Sequence, residues 1–382
     1  MKKTLALILA LVTLLSLLVG CAKTAAPAQD TTTPQTQKTA DATDTMDAAD
    51  TASDEAPADT TAADASDYKI FLVVTGGTLG DQAANDAAYD GMKQFSEESG
   101  ATFDYVELSE VSDVESTVRT MAADGYTLFV FNSADAADMM DILCPDYPEI
   151  RFVMINGTNY NWDNLTNVKP DVAASGFLCG IFASLMNEYL TGEKICGYIG
   201  GVRNPNLERV RYGMQAGAEL IGGELNAAYV GNFNDAAAAK EIAQQMQSAG
   251  VHVIQAWAGG CNKGVFEAAE TAGEGYYSMG GATGQFQMSD TIIASNAENR
   301  TVVLAEVCRA ALNGTLEGGD YPMTIANGGV DCKFAPDERA DVIPQEIKDT
   351  VEEYRQKLIN GELFAPKTEE EYNDFVAQFI NK

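Results

Sequence analysis

Lys69-Ile70-Phe71-Leu72-Val73-Val74 is an apolar run after its first residue, and the turn Thr75-Gly76-Gly77-Thr78 follows it directly. An apolar run of this length that ends at glycines predicts a buried β-strand. From about Asp81 the pattern changes to a helical one, which predicts an amphipathic helix. Its apolar residues share one face: Ala84, Ala88, Met92 and Phe95. The stretch 69–95 therefore predicts a strand–turn–helix unit.

The same alternation continues along the chain and divides into two series. In the first series, further strands are expected at 103–107, 127–131 and 151–156. A helix near 173–189 opens the second series, whose expected elements are strands at 194–199, 226–230, 251–257, 276–279 and 291–294 and helices at 206–221, 235–249, 263–272 and 299–313. Strands that alternate with helices indicate parallel sheets covered on both faces. The sequence therefore predicts an α/β fold with two doubly wound parallel-sheet lobes, and 382 residues exceed what one core usually organises.

This architecture also predicts where a ligand binds. In open α/β sheets, ligands bind outside the carboxyl ends of the strands. The candidate segments are those that follow the expected strands: 75–81, 132–138, 156–162, 200–204, 231–235, 257–262 and 280–284. The aspartates in these segments serve either as helix N-caps or as acceptors for ligand hydroxyls. Phe233 and Trp257 belong either to the core or to a stacking surface for a flat ligand.

The charge of the chain limits its partners. There are 56 acidic residues against 24 basic ones and a single histidine, His252, which gives a formal net charge of −32. Affinity for nucleic-acid phosphates comes mainly from lysine and arginine, so a nucleic-acid polymer is excluded as a partner. Direct adhesion to anionic lipid is disfavoured for the same reason. One histidine cannot build a metal site that needs several imidazoles, and no cofactor is expected.

The N-terminus has the pattern of an export signal. Lys2 and Lys3 precede the apolar segment 5–19, which is too short for a usual membrane span. Leu18-Val19-Gly20-Cys21 resembles the bacterial lipobox, and this resemblance implies that residues 1–20 are removed and Cys21 is lipidated. Acyl chains on Cys21 would anchor the protein to the outer face of the cell membrane. Residues 22–67 hold many Ala, Thr and Asp but no Ile, Leu, Val or aromatic residue, which predicts a disordered tether.

Two further motifs leave alternatives open. Thr75-Gly76-Gly77-Thr78 resembles the turn of bacterial asparaginases, whose threonine attacks an amide, so an amidase that uses Thr75 is one alternative. A threonine nucleophile needs a neighbouring base, and His252 lies inside an expected strand. The six cysteines beyond Cys21 show no zinc-like spacing, and we assign no disulfides among them.

Five stretches resemble, in order, the motifs of the basic membrane protein family of substrate-binding lipoproteins, which includes the purine nucleoside receptors of ABC transporters. The first, 80–92, is similar to the family signature Asn-Asp-Lys-Ser-Phe-Asn-Gln-x-Ala-Tyr-x-Gly-Leu. The others are Tyr147–Phe152, Ile199–Gly201 with Arg211–Gly217, Gly231–Asp235, and Ala258–Gly260 with Gly264-Val265. The resemblance covers nearly all of residues 68–330.

The resemblance implies a type I periplasmic-binding-protein fold with a ligand cleft between its lobes. The lobes would be 68–170 plus about 296–325, and 171–295 plus about 326–382, with three crossovers between them. It also implies a monomeric, non-enzymatic receptor that closes on a small solute and works with an ABC permease in the membrane. A ligand sensor without import is the remaining alternative.

By the same resemblance, the leading ligand is a nucleoside, held between two aromatic rings in the family. Phe233 keeps one of these rings and Ala84 replaces the other. The family's ribose-binding aspartate falls near Gly281 or Ala282 and its lysine near Glu298, so a neutral or cationic ligand is favoured over an anionic one. The expected ligand-binding residues are Thr75, Asp81, Asn85, Asn132, Asp138, Phe233, Trp257 and Gly260.

Overall fold

The computed structural model describes residues 65–75, 78–80 and 84–381. Four predicted features lie outside the described residues: the signal sequence, the lipidation of Cys21, the tether up to residue 64, and ligand binding by Asp81. Ala65 is already buried, and its N–H donates to the carbonyl of Ser99 at 3.1 Å. Residues 65–67, which the tether was expected to include, are therefore described with the folded body.

The first sheet contains six parallel strands in the order β11-β5-β4-β3-β1-β2. Its strands are β1 (Lys69–Thr75), β2 (Thr102–Leu108), β3 (Leu128–Phe131), β4 (Arg151–Ile155), β5 (Leu165–Pro170) and β11 (Gly319–Met323). Four helices cover it: α1 (Ala84–Ser99), α2 (Val114–Ala123), α3 (Met140–Asp146) and α8 (Arg300–Leu312). In β1, every residue after Lys69 is buried, as a strand with helices on both faces requires.

The second sheet also has six strands, in the order β12-β10-β9-β8-β6-β7, and only β12 is antiparallel to its neighbour. Its strands are β6 (Ile195–Gly200), β7 (Glu224–Tyr229), β8 (Val253–Trp257), β9 (Tyr277–Gly280), β10 (Ile292–Glu298) and β12 (Val330–Phe334). Its helices are α4 (Val172–Thr191), α5 (Pro205–Leu220), α6 (Ala236–Ser248), α7 (Asn262–Ala272), α9 (Gln345–Ile359) and α10 (Glu369–Phe375). Helices α4, α5 and α9 pack on one face, and α6 and α7 pack on the other.

Within the described residues, the chain passes between the two sheets three times. It crosses after β5, after β10 and between β11 and β12. The second crossing follows Glu298, so the crossover expected near 296 falls inside β10. Backbone hydrogen bonds join the crossing segments: Asp171 N–H donates to Met323 O at 2.9 Å, and Asn299 N–H donates to Gly329 O at 2.8 Å.

Helices α4 and α5 approach each other with their backbones in contact. A Cβ atom on Gly180 would lie 2.1 Å from the carbonyl oxygen of Met214, and one on Gly217 would lie 2.1 Å from that of Phe177. Gly213 faces the carbonyl of Ala173 in the same way. Only glycine allows this approach, because the obstructing atoms belong to backbone and cannot rotate away.

The predicted α/β class and the two parallel-dominated sheets are confirmed. None of the helices that the structure describes has the length and apolarity needed to span a bilayer. The six cysteines among the described residues are all buried and unbridged. Burial raises the pKa of the thiols of Cys196 and Cys308 to about 12.

Candidate functional site

The carboxyl ends of strands from both sheets line one cavity of about 260 Å³. Its lining residues are Ala84, Asn156, Val172, Asn206, Leu207, Arg209, Trp257, Gly281, Ala282, Glu298 and Arg300. They come from the start of α1, the ends of β4, β8 and β9, the start of α5, and two of the three crossings. This is the position that the strand–helix alternation predicts for a ligand.

Three of the expected ligand-binding residues form a buried network beside this cavity. Asn132 Oδ1 accepts from the backbone N–H of Thr75 at 2.9 Å, and Asn132 Nδ2 donates to Asn85 Oδ1. Asn85 Nδ2 donates in turn to the carbonyl of Thr78 at 3.0 Å. Because these groups bond to one another, they hold the end of β1, Thr78 and the start of α1 in fixed positions.

A buried ion pair stands at the second crossing. Arg300 Nε donates to Glu298 Oε2 at 2.9 Å, and Arg300 Nη1 donates to the carbonyl of Asn132 at 3.1 Å. Arg300 is 8% exposed. The expectation of a neutral or cationic ligand depended on the loss of a cleft lysine near Glu298. Arg209 and Arg300 line the cavity, so the loss of that lysine does not leave the cavity without cationic side chains, and the preference for a neutral or cationic ligand stays a prediction.

Trp257 is the aromatic residue of the cavity. It ends β8 and is half-buried, and Gly281 lies against its ring, where a Cβ atom would be 3.3 Å from Trp257 Cε3. Trp162 packs with the core of the first sheet, and its Nε1 donates to Asp141 at 2.9 Å. Of the two tryptophans, Trp257 is therefore the one placed to contact a ligand.

Phe233, the expected stacking ring, lies outside the cavity lining. It is 38% exposed and lies over Gly201, where a Cβ atom would come within 2.2 Å of its ring. Gly260 faces the Phe233 carbonyl, from which a Cβ atom would be 3.0 Å away. Asp138 is exposed in the short helical turn Ala137–Met139. The binding roles of Phe233, Gly260 and Asp138 stay predictions.

The surroundings of Thr75 bear on the amidase alternative. The Thr75 hydroxyl is hydrogen-bonded to the hydroxyl of Ser133 at 2.9 Å. His252 directly precedes β8 of the second sheet. Its Nδ1 is hydrogen-bonded to the carbonyl of Gly275, and its ring stacks on Tyr276. Among the described residues, the one histidine is therefore engaged away from Thr75.

Several cavity residues were not expected from the sequence. Asn206, Arg209 and Arg300 carry polar groups to the cavity but lie outside the segments that the strand ends predicted, whereas Asn156 belongs to the candidate segment 156–162. Asn156 has a signal of its own, because it is the only non-glycine residue of the described chain with a positive φ, at 60°. Such a conformation at a cavity wall marks a place where the fold holds a strained residue in position.

We expect Asn156→Ala to lower the free energy of unfolding by about 1 kcal/mol, because alanine adopts the left-handed region less readily than asparagine. Asn156→Gly should keep the stability, since glycine adopts positive φ freely. Thermal unfolding of the two variants provides the comparison. An alanine variant as stable as the glycine variant would contradict the backbone argument.

Comparisons with known proteins agree with this geometry. The family model described as ABC transporter substrate-binding protein PnrA-like matches residues 69–369. The ABC transporter nucleoside-binding protein BmpA of Lactococcus lactis subsp. cremoris is 23% identical, and the match covers 79% of this chain and 90% of that protein. Basic membrane protein B of Borreliella afzelii is 28% identical, over 82% of this chain and 92% of its own.

A solved structure also resembles the fold. The solute-binding protein of an ABC transporter system from Aeropyrum pernix K1 superposes with a TM-score of 0.68 at 23% identity. The likeness covers 82% of this chain and 97% of that one. The predicted type I periplasmic-binding-protein fold is confirmed.

Proposed function

Because the chain belongs to the PnrA-like family of ABC transporter substrate-binding proteins, as its motifs predicted, we propose that it is a lipid-anchored receptor that delivers a nucleoside-like solute to an ABC importer. The chain would capture the solute between its two lobes and present it to a membrane permease. Hinge closure around a ligand is a known way for such lobes to enclose a solute. The proposed receptor is monomeric, is not an enzyme and needs no cofactor.

The observation that carries this proposal is the cavity at the carboxyl ends of both sheets. Its walls combine apolar side chains, such as Val172 and Leu207, with an aromatic ring at Trp257 and a few polar groups. Mostly apolar walls with a small number of placed polar groups are typical of small-molecule sites. Its volume of about 260 Å³ favours a small solute over a peptide or polymer.

The nucleoside part of the proposal is supported by Trp257 and by the similarity to the nucleoside-binding protein BmpA of Lactococcus lactis. A half-buried indole at a cavity wall offers one face for a flat ring to stack on. The membrane part is supported by the sequence pattern that ends at Cys21. Labelling cells with a palmitate analogue tests the anchor, since incorporation should be lost in Cys21→Ala.

Thermal-shift measurements on the full chain test the solute class. We expect nucleosides to raise the melting temperature in a concentration-dependent way, because a ligand that binds only the folded state stabilises it by about 2.7 kcal/mol at a hundred times its Kd. Sugars and amino acids serve as controls of similar size. A shift with a sugar or an amino acid and none with any nucleoside would replace the proposed solute.

Two alternatives have separate tests. Hydrolysis of asparagine or glutamine that disappears in Thr75→Ala would establish the amidase instead of the receptor. Uptake of labelled nucleoside by cells, compared with uptake after deletion of the chain, separates import from sensing. An unchanged uptake rate would favour a sensor.

A further inference from the structure

Arg209 differs from every other arginine of the chain. All nine arginines lie within the described residues. Eight of them donate a hydrogen bond or form an ion pair: Arg119, Arg151, Arg203, Arg211, Arg300, Arg309, Arg339 and Arg355. Arg209 does neither among the residues that the structure describes, although it is half-buried and lines the cavity.

Two described acidic residues that could pair with Arg209, its neighbour in α5 and the acid of the cavity lining, are already engaged. Glu208, the neighbour in α5, accepts from Arg211 and from the Tyr229 hydroxyl. Burial is the largest influence on the Glu208 pKa and raises it, but the hydrogen bonds from Arg211 and Tyr229 and the charges of Arg211 and Arg203 together outweigh burial. The Glu208 pKa therefore lies below its ordinary value. Glu298, the acidic residue of the cavity lining, is paired with Arg300.

Arg209 lines the cavity and has no partner among the residues that the structure describes, so its guanidinium needs acceptors when the cavity closes around a ligand. A buried charge that lacks hydrogen-bond partners is strongly unfavourable, so the ligand itself must bring acceptors to this position. Guanidinium is planar and presents its N–H donors as a fork, which matches two acceptors that lie side by side. Trp257, in the same lining, favours a ligand whose acceptors belong to a flat ring.

These requirements describe one edge of a purine. In guanine, O6 and N7 are adjacent acceptors, and a guanidinium donates to both at once. Hypoxanthine has the same carbonyl and the same ring nitrogen. In adenine, the amino group beside N7 is a donor, so it would face the donors of the arginine.

We propose that Arg209 recognises the O6–N7 edge of a 6-oxopurine and makes the cleft selective for guanosine and inosine over adenosine. This selectivity rests on the proposed function, since it concerns which nucleosides the same cavity takes. Arg209 acts as a specificity-determining residue, while Trp257 binds the ring through its face. The net charge of −32 would repel an anionic ligand, but the O6–N7 edge of a purine is neutral and is not repelled.

Binding of guanosine, inosine, adenosine and 7-deazaguanosine to the full chain tests the proposal by isothermal titration calorimetry. We expect guanosine and inosine to bind roughly 5- to 150-fold more tightly than adenosine, the range that a bidentate arginine contact gives. 7-Deazaguanosine should bind more weakly than guanosine, because it lacks the N7 acceptor. Equal affinities for guanosine and adenosine would overturn the proposal.

Variants identify the residue responsible. Arg209→Met keeps the length of the side chain but removes its donors, so the preference for guanosine should vanish while adenosine affinity stays similar. Arg209→Lys should restore only part of the preference, since lysine has no planar fork. The matched control is Arg203→Met, because the Arg203 side chain is 70% exposed and lies outside the cavity lining. A preference that persists in a folded Arg209→Met variant would overturn the proposal.

Two further outcomes are distinguishable. If no nucleoside binds the unmodified chain, the proposed function fails and the selectivity fails with it. If guanosine 5′-monophosphate and adenosine 5′-monophosphate both bind more tightly than their nucleosides, and both gains vanish in Arg209→Met, then Arg209 holds an anionic group instead of a purine edge. That result would overturn the selectivity and leave the receptor role intact. Circular dichroism of each variant without ligand shows whether it is folded.

Discussion

Trp257→Ala should weaken the binding of a nucleoside by roughly 5- to 150-fold, because stacking of a base on an aromatic side chain contributes about 1–3 kcal/mol. The indole ends β8 and lines the cavity. Its removal also enlarges the cavity, so the remaining walls contact the ligand less closely. The change should appear as a rise in Kd in calorimetric titrations at constant temperature.

The second tryptophan provides the matched control. Trp162→Ala removes the same side chain from the first lobe, outside the cavity lining, and should leave the Kd nearly unchanged. In a Trp162→Phe background, Trp257 is the only indole, so its fluorescence reports ligand binding directly. The binding site would lie elsewhere if a bound ligand left the fluorescence of this variant unchanged and if Trp257→Ala bound that ligand as tightly as the unmodified chain does.

Gly180→Ala should destabilise the folded body by about 2 kcal/mol or more. Alanine is the better helix former by about 1 kcal/mol, which alone would stabilise α4. The added Cβ atom, however, would lie 2.1 Å from the carbonyl oxygen of Met214 in α5. Because both atoms are fixed to backbone, the two helices must separate, and overpacking of this kind costs about 1–3 kcal/mol or more. Thermal unfolding should show a melting temperature lower by several degrees.

A control in another helix separates this contact from helix propensity. Ala237 is exposed in α6, and Ala237→Val adds two methyl groups without meeting a facing helix. Its melting temperature should change little. If Gly180→Ala were as stable as the unmodified chain, the close approach of α4 and α5 would not be the constraint that the geometry indicates.

The elements that the sequence predicted well are those whose own composition determines them. Strand β1 is a continuous apolar run, and α4 and α8 have long apolar stretches bounded by polar residues. Strands β5 and β11 were missed because their sequences, with Asn, Lys, Asp and Pro, show no strand pattern. They become strands by pairing with each other and with β4, which only the three-dimensional fold brings beside them.

The cavity lies where the strand ends predicted a ligand, but only part of its lining was predicted. The rule for strand ends led to Trp257 and to the loop that contains Gly281. Arg209 was missed because it begins the second turn of α5. Arg300 was missed because it follows a crossing and begins α8. Their approach to the cavity depends on how the two lobes are connected, which no local pattern encodes.

The hydrogen bonds between the crossing segments affect how the receptor moves. Backbone hydrogen bonds join Asp171 to Met323 and Asn299 to Gly329, so the crossing segments between the lobes form one hydrogen-bonded unit. A sideways translation of one lobe over the other would break these hydrogen bonds, whereas a rotation about the crossing segments keeps them. The lobes should therefore move by a hinge rotation about the crossing segments, with one dominant degree of freedom. In every closed receptor, the surfaces of the two lobes would then have the same mutual orientation, so a permease would meet the same combined surface each time.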